Sequence, residues 1–291
     1  MIQHCEPRRA LQRKALLGVS YVGYQPLLME RLLPLVDALE ISPDILRVDA
    51  ADAGSLDVEA LAELRDCASE VAILAHGIGL SIGSADRWND SYLQTLDTLF
   101  NTVPVQWHSE HLGYTTVDGR FLGTMLPMPR THEAIDLLSH RCEQVNTRYG
   151  VPFLLENVAP LLPDPPAEFA PAEFLNRLCG NGHSEVLLDL YNLECDAHNN
   201  GLDITAFLDE IDLGEIREVH IACGVEREGL WTDVHSRPTG NSTIALLNRT
   251  LADPRCRQPV VIYEFLREAL PVLGVDGIVA ELTRLRQIVK A

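Results

Sequence analysis

The sequence predicts an α/β fold in which eight parallel strands close into a TIM-type (β/α)8 barrel. Eight short apolar runs alternate with eight segments of helical periodicity. Seven of these runs carry a His, Asp or Glu in their second half. This position is typical of a barrel whose site lies at the carboxyl ends of its strands. The 291 residues also suit one barrel of ordinary size.

The eight predicted strands are runs of six or seven residues. They lie at residues 16–22, 37–42, 71–77, 105–111, 152–158, 184–190, 217–223 and 259–265. Strands that alternate with helices predict a parallel sheet, and eight such pairs favour a closed barrel over an open sheet.

The predicted helices fill the intervals between the strands. They lie at residues 26–35, 58–70, 89–100, 130–149, 171–179, 204–211, 243–251 and 276–290. Asn89 or Asp90 can cap the third helix. Thr131 can cap the fourth, and Glu133 in its first turn suits the helix dipole.

Long connections follow the third, fourth, fifth and seventh strands, where a barrel builds its catalytic face. Residues 161–171 form a Pro-rich connection, and residues 227–241 form another. The sequence shows no internal repeat, low-complexity tract or linker. We therefore predict an N-terminal extension at residues 1–15 and a single catalytic barrel domain at residues 16–291.

The composition argues against several classes of protein. A net charge of −19 disfavours a nucleic-acid partner, because phosphate contacts need clustered Lys and Arg. No apolar run approaches the length of a membrane span, and the N-terminal residues lack the pattern of a signal peptide. The seven cysteines include no CxxC pair, which argues against a disulfide framework or a structural zinc site. We predict a cytoplasmic protein.

The third and fourth strands carry the first candidate residues. His76 precedes a Gly-rich turn in HGIGLSIGS, and its role could be structural or functional. In WHSEHLGY, strand alternation places His108 and Glu110 on one face and His111 on the other. At least one of these three is expected to be a hydrogen-bonding core residue.

Carboxylates follow two further apolar runs. Glu156 and Asn157 end LLENV, where a buried carboxylate is costly without a partner. A metal ion, another cation or a salt bridge to an Arg would offset that cost. Glu40 lies in the middle of DALEIS, where a salt bridge or hydrogen bond is the expected explanation.

The sixth predicted strand ends in Asp189, a good ligand for a hard metal ion, followed closely by Asn192 in LLDLYN. Asn192 or Asp196 could instead cap a turn. His198, in the following HNN, could likewise be structural or functional.

The last strands complete the set of candidates. His220 lies within the buried strand EVHIAC, and Glu264 ends VVIYE. Asp233 and His235 form DVH on the long connection after the seventh strand, and they can reach one ion together.

Imidazole and carboxylate ligands without a thiolate cluster suit iron, manganese or zinc. Eight or nine such groups exceed the needs of one ion, so carboxylates that bridge two or more ions are the natural inference. A Ser-His-Asp hydrolase fits poorly, because the sequence has no GxSxG motif.

The motifs also resemble a known family when they are taken in order. They are HGIGLSIGS, SEHLGY, LPMPRTHEA, LLENV, LLDLYN with HNNGLD, EVHIACG, TDVHS and IYE. The set resembles the multinuclear non-haem iron-dependent oxidative enzymes, formerly a domain of unknown function. Among them are the iron enzymes of methanobactin and 3-thiaglutamate biosynthesis. The resemblance covers roughly residues 16–285.

The resemblance implies a xylose isomerase-like barrel with two or three iron ions of mixed Fe(II)/Fe(III) state at its mouth. It implies O2-dependent oxidation of a residue, above all cysteine, in a ribosomally made precursor peptide, and often a partner protein that binds the leader of that peptide. The implied metal ligands are His76, His111, Glu156, Asp189, Asn192, His220, Asp233, His235 and Glu264. His108 and His198 become structural candidates, Glu40 is at most a neighbour of the ligands, and no residue is assigned a catalytic role.

Three segments depart from the family pattern. The chain has GVSYVGY where many members have GLRxxH, HIACG where many have HLAGH, and EFL where many have an ERD-like end. These differences predict altered surroundings of the ions. Two alternatives remain: a divalent-metal sugar isomerase or an endonuclease on the same kind of barrel, and a barrel that only scaffolds a partner.

Overall fold

The computed structural model describes residues 15–48, 54–161 and 167–290. In chain order its strands are β1 Leu16–Tyr21, β2 Ala38–Ile41, β3 Ala72–Gly77, β4 Val105–His111, β5 Gly113–Val117, β6 Arg120–Pro127, β7 Phe153–Glu156, β8 Glu185–Asp189, β9 Ile216–Ile221, β10 Val225–Arg227, β11 Leu230–Thr232 and β12 Val260–Tyr263. Eight of them form a closed barrel in the order β1, β12, β9, β8, β7, β4, β3 and β2, each parallel to its neighbours. The predicted barrel is confirmed, and each predicted strand overlaps one strand of the barrel.

The α-helices surround the barrel. They are α1 Pro26–Leu32, α2 Val58–Cys67, α3 Asp90–Thr102, α4 His132–Tyr149, α5 Pro171–Cys179, α6 Leu190–Asn200, α7 Ile204–Glu210, α8 Asn241–Ala252 and α9 Leu270–Lys290. The predicted caps are observed: Asn89 accepts the N–H of Tyr92, and Thr131 accepts that of Ala134. The segment α9 begins earlier than predicted, but Gly274 (φ 65°) interrupts it close to the predicted start.

No helix was predicted directly after β8, and a turn capped by Asn192 or Asp196 was one alternative for this segment. In the structure α6 begins there directly. The carboxylate of Asp189 caps α6 by accepting the backbone N–H of Asn192 at 2.6 Å. The helix ends at Gly201, whose left-handed conformation (φ 83°) suits glycine. The signal that was missed is Asp189, a residue type preferred at the N-cap of a helix, at the boundary between two apolar runs.

Two of the long connections contain antiparallel hairpins, β5 with β6 and β10 with β11. Both rise from the carboxyl ends of barrel strands, where catalytic loops were expected. Residues 162–166 of the Pro-rich connection lie outside the described part of the chain. The same holds for residues 1–14 of the predicted extension.

The strands separate two apolar cores. One lies between the barrel and the helices; the other fills the barrel and consists of Ala38, Leu74, Trp107, Leu154, Leu187, Val260 and Ile262. A residue two positions further along a strand faces the same side. Glu156 thus follows Leu154 and Asp189 follows Leu187, so that the interior becomes polar toward the carboxyl ends of the strands. No helix in the described ranges is long and apolar enough to cross a membrane.

Candidate metal centre

All nine predicted ligand residues lie at the polar end of the barrel. Five are in the last two residues of a strand: His76, His111, Glu156, Asp189 and His220. Glu264 directly follows β12, Asn192 is in the first turn of α6, and Asp233 and His235 follow β11. His111, Asp233 and Glu264 keep 12–18% of their side chains exposed, whereas the other six are buried. The exposed members face the side from which a substrate could enter.

Glu156 lies at the middle of this group. Its Oε2 is 3.3 Å from Nε2 of His76 and 3.2 Å from Nε2 of His111. Nδ1 of His111 is 2.9 Å from the carbonyl of Gly77, which only an N–H can bond, so this nitrogen donates. The bare Nε2 of a neutral His111 then faces a carboxylate oxygen. Two such acceptors need a proton or a metal ion between them.

The other oxygen of Glu156 faces a second group of ligands. Oε1 is 3.3 Å from Nδ2 of Asn192 and 3.8 Å from Nδ1 of His220. Because its two oxygens turn toward different histidines, the carboxylate has the geometry of a bridge between two ions.

Asp189 reaches this second group while it caps α6. One carboxylate oxygen accepts the N–H of Asn192, and the other has no hydrogen-bond partner. Asn157 fixes the backbone here, because its side chain accepts the N–H of Asp189 at 2.8 Å and donates to its carbonyl at 2.9 Å. The free oxygen of Asp189 is therefore held rigidly.

The connection after β11 contributes the third part of the group. Nε2 of His235 is 2.5 Å from Oδ1 of Asp233, and its Nδ1 is 3.3 Å from Oε1 of Glu264. Oε2 of Glu264 lies 3.0 Å from Nδ1 of His220. His235 adopts a left-handed backbone conformation (φ 45°), which is uncommon for a residue other than glycine.

Most of these side chains present a buried polar atom without a hydrogen-bond partner. The atoms are Nε2 of His76, Oε2 of Glu156, Oδ2 of Asp189, Oδ1 of Asn192, Nδ1 of His220, Oδ1 of Asp233 and both ring nitrogens of His235. Such atoms are rare in proteins and require an explanation where they occur. Converging nitrogen and oxygen lone pairs fit metal ions well.

Three overlapping triads have ligand atoms within 4.8 Å of one another: Glu40–His76–His220, His76–His111–Glu156 and Glu156–Asp189–His220. Because the triads share members, their ligand atoms form one continuous group. Nitrogen and carboxylate ligands without thiolate are compatible with iron, manganese or zinc. The site can therefore hold metal, and the donor set fits iron.

Burial shifts the pKa values of the histidines in two directions. It lowers the pKa of His76 and of His111. Burial also acts to lower the pKa of His220 and of His235, but neighbouring carboxylates outweigh this effect. Glu40 and Glu264 raise the pKa of His220, and Asp233 and Glu264 raise that of His235 to about 10.

Burial also raises the pKa of two carboxyl groups, well above the ordinary range for Glu156 and to about 8 for Asp189. Burial would raise the pKa of Glu264 as well, but His235 and His220 hold it below its ordinary value. Without metal, part of this site must bind protons to reduce the repulsion between its carboxylates. Metal ions can replace those protons.

Sequence reasoning did not single out two polar residues beside the group, and it named Glu40 only as a neighbour of the implied ligands. Glu40 contacts His220, with Oε2 2.8 Å from Nε2, and it is also a member of one of the three triads. Ser109 was not singled out, yet its Oγ is 3.0 Å from Nδ1 of His76. Glu218 was also missed, although it lies two positions before His220 and hence on the same face of β9.

The two histidines assigned a structural role lie outside the barrel mouth. His108 is buried on the outer face of β4, with Nε2 3.0 Å from Oε1 of Glu110. His198 stacks on Trp231 at 4.8 Å between ring centroids, and Nε2 is 3.1 Å from the carbonyl of Gly229. The predicted opposite orientation of His108 and His111 is observed.

The sequence also matches known proteins. A family model described as RiPP precursor modification enzyme MbnB/TglH/ChrH matches residues 21–290. A UPF0276 protein of Streptomyces avermitilis is 31% identical over 237 residues, or 78% of this chain and 47% of the relative. A UPF0276 protein of Chromobacterium violaceum is 32% identical over 202 residues, or 69% of this chain and 73% of the relative.

Solved structures show the same fold at low identity. D-psicose 3-epimerase from Clostridium cellulolyticum H10 has a TM-score of 0.60 and 14% identity, and covers 95% of this chain and 100% of its own. IolI protein with a zinc atom has a TM-score of 0.61 and 15% identity, with 94% and 98% covered. A putative xylose isomerase from Rhodospirillum rubrum has a TM-score of 0.59 and 14% identity, with 94% and 99% covered. These likenesses identify a xylose isomerase-like barrel.

Proposed function

The chain belongs to the family of RiPP precursor modification enzymes MbnB/TglH/ChrH, and from this premise we propose that it is an O2-dependent multinuclear iron oxidase. Its substrate would be a ribosomally synthesised precursor peptide, and the modified residue would be a cysteine. The supporting observation is the position of Glu156 between His76 and His111 on one side and His220 on the other, with unpartnered polar atoms on both sides.

The nine residues would divide around two or three ions. His76 and His111 would bind on one side of Glu156, and Asp189, Asn192 and His220 on the other. Asp233, His235 and Glu264 would complete the centre on the more exposed side. Bound iron would supply electrons for the reduction of O2 and a Lewis-acidic position for a thiolate.

The protein itself would orient the ligands and limit access of water. Ser109 and Gly77 hold Nδ1 of His76 and of His111, so that both Nε2 atoms face the same carboxylate. Beneath the site, the apolar interior residues close the barrel. Access is left on the side of Asp233 and Glu264, where a peptide side chain could approach.

A test begins with the metal content. The protein purified without oxygen and loaded with Fe(II) should bind more than one iron per chain, and partial oxidation should give a mixed-valence electron paramagnetic resonance signal. A centre that accepts only zinc or magnesium, together with epimerisation of a ketose, would instead support the sugar isomerase alternative.

A second test concerns the reaction. A short cysteine-containing peptide encoded by a neighbouring gene is the substrate to try, alone and with any co-encoded protein that binds its leader. Its mass should change in the presence of O2 and stay constant without it. Turnover in the absence of O2 would refute the oxidase assignment.

The same proposal includes a cytoplasmic location. Six cysteines in the described ranges are free thiols, which suits a reducing compartment. The barrel over residues 16–291 would be the catalytic domain.

A further inference from the structure

A second layer of acidic residues lies beneath the candidate metal centre, inside the barrel. Glu40 of β2 is 4% exposed, and Glu218 of β9 is fully buried. Both lie at the level where the interior is otherwise filled by apolar side chains. Burying a carboxylate there is costly unless specific contacts offset the cost.

Both carboxylates face the same nitrogen of His220. Its Nε2 is 2.8 Å from Oε2 of Glu40 and 3.8 Å from Oε1 of Glu218. The opposite ring nitrogen, Nδ1, faces Glu264 at 3.0 Å and Glu156 at 3.8 Å. The ring therefore spans the distance between the lower acids and the ligands above.

This arrangement favours Nδ1 of His220 as the nitrogen that binds metal, because Nε2 is already within hydrogen-bonding distance of Glu40. A metal ion at Nδ1 uses the lone pair of that nitrogen, so the ring hydrogen must be on Nε2. Once buried, that N–H needs an acceptor, and Glu40 provides one at hydrogen-bonding distance. Loss of the acceptor would allow the ring to rotate or to place its hydrogen on Nδ1.

Glu218 is itself held in place from below. Its Oε2 accepts the indole N–H of Trp107 at 2.8 Å, and Trp107 packs into the apolar interior of the barrel. Its Oε1 has no hydrogen-bond partner among the described residues. Glu218 thus places a second carboxyl oxygen near the same N–H, at 3.8 Å, without competing for the closer contact.

We propose that Glu40 and Glu218 are positioning residues, which fix the orientation and tautomer of His220 so that Nδ1 faces the ions. Glu40 acts through the direct hydrogen bond, and Glu218 supports it through a carboxyl group that Trp107 holds on the same side of the ring. This inference rests on the proposed metal centre. Acceptors of this kind commonly change metal affinity by ~10–100-fold when they are removed.

The first measurement is metal affinity, by anaerobic titration with Co(II) and Fe(II). Glu40→Ala should weaken the affinity by about 10–100-fold. Glu40→Gln should recover most of it, because the amide oxygen still accepts the N–H. Glu218→Gln should have a smaller effect than Glu40→Ala. Glu281→Gln is the matched control, since Glu281 is a buried acid outside the barrel that accepts the N–H of Thr239.

The second measurement follows the ring itself, by NMR of the ¹⁵N-histidine-labelled protein with and without Zn(II). The downfield signal of the Nε2 hydrogen is assigned by its loss in His220→Asn. It should persist in Glu40→Gln and disappear or shift strongly in Glu40→Ala. An unchanged signal in Glu40→Ala, in a protein with native circular dichroism, would overturn the inference.

The two measurements separate this inference from the proposed function. Failure of the wild-type protein to bind iron would refute the multinuclear oxidase. The ring signal of the metal-free protein would still decide whether Glu40 positions His220. Wild-type iron binding combined with equal affinity in Glu40→Ala would refute only the positioning role.

Discussion

Strand β4 places a histidine beside a carboxylate on each of its two faces, and the two surroundings differ. On the outer face, His108 contacts Glu110 and packs among the rings of Phe100, Tyr149 and Phe153. On the inner face, His111 contacts Glu156, which also contacts two other histidines. The first is a pair and the second is part of a network.

Protonation accounts for the difference. Burial lowers the pKa of His108 to about 3 and raises the pKa of Glu110 well above its ordinary range, so a neutral acid and a neutral imidazole can share one hydrogen. The inner network has more carboxylates and lone pairs than a few protons can satisfy. Burial of a histidine beside an acid is therefore a weak sign of a metal site; convergence of several unpartnered atoms is a stronger one.

Replacement of the carboxylate on each face of β4 should give the largest difference between the two faces. Glu156→Ala should reduce bound iron to background, because both groups of ligands lose their shared oxygen donor. Glu110→Gln should leave the iron content unchanged and alter only thermal stability. Elemental analysis of anaerobically loaded proteins measures the first effect, and circular dichroism melting measures the second. Full iron retention in Glu156→Ala would contradict its bridging role.

The two histidines of β4 give the next largest difference. His111→Ala should weaken metal affinity substantially, while the metal-free protein still folds. His108→Ala should lower the free energy of unfolding by about 2–4 kcal/mol, since it leaves a cavity and an unpaired buried acid, at unchanged metal content. Chemical denaturation and metal titration of both variants give the comparison. Loss of metal in both would show that the two faces act as one unit.

The stability of the metal-free protein should also depend on pH through the inner network. Burial raises the pKa of Glu40 and Asp189 to about 8, and neighbouring acids outweigh burial to raise that of His235 to about 10. The folded state then binds more protons than the unfolded state between pH 7 and 8. Its free energy of unfolding should therefore fall as the pH rises, by up to about 1.4 kcal/mol per pH unit for each such proton.

Metal should oppose this loss, because it binds the deprotonated ligands. The increase in melting temperature on addition of metal is thus expected to be larger at pH 8 than at pH 7. In Glu110→Gln the same metal-linked increase should remain, since Glu110 lies on the other face of β4. An increase that is independent of pH would argue against proton release from the inner network.

The smallest effect is expected at His198 of α6, which contacts the hairpin formed by β10 and β11. His198→Ala removes an exposed stacking contact with Trp231 and a hydrogen bond to Gly229. The free energy of unfolding should change by about 1 kcal/mol or less, and the metal content should not change. Loss of metal in this variant would place the hairpin closer to the chemistry than its contacts indicate.

The barrel and most of its site follow from local patterns in the sequence. Short apolar runs separated by helical segments predict the eight strands, because each element has its own periodicity. A polar residue two positions after an inner apolar residue, such as Glu156 after Leu154, must face the interior at the strand end. That rule places His76 after Leu74 and Asp189 after Leu187 as well. Glu218 and His220 are two positions apart on β9, so the inward orientation of one indicates that of the other.

Only the tertiary structure decided which of these residues meet. Glu40 and His220 are 180 positions apart in the chain, and Trp107 and Glu218 are 111 apart. Their contacts arise because barrel closure brings non-adjacent strands together across a narrow interior, a distance that no local periodicity encodes. The same holds for Glu156, whose two oxygens reach histidines from three other strands. The sequence by itself determined the kinds of candidate ligand and the end of the barrel where they lie, and closure of the barrel determined which of them come within reach of one another.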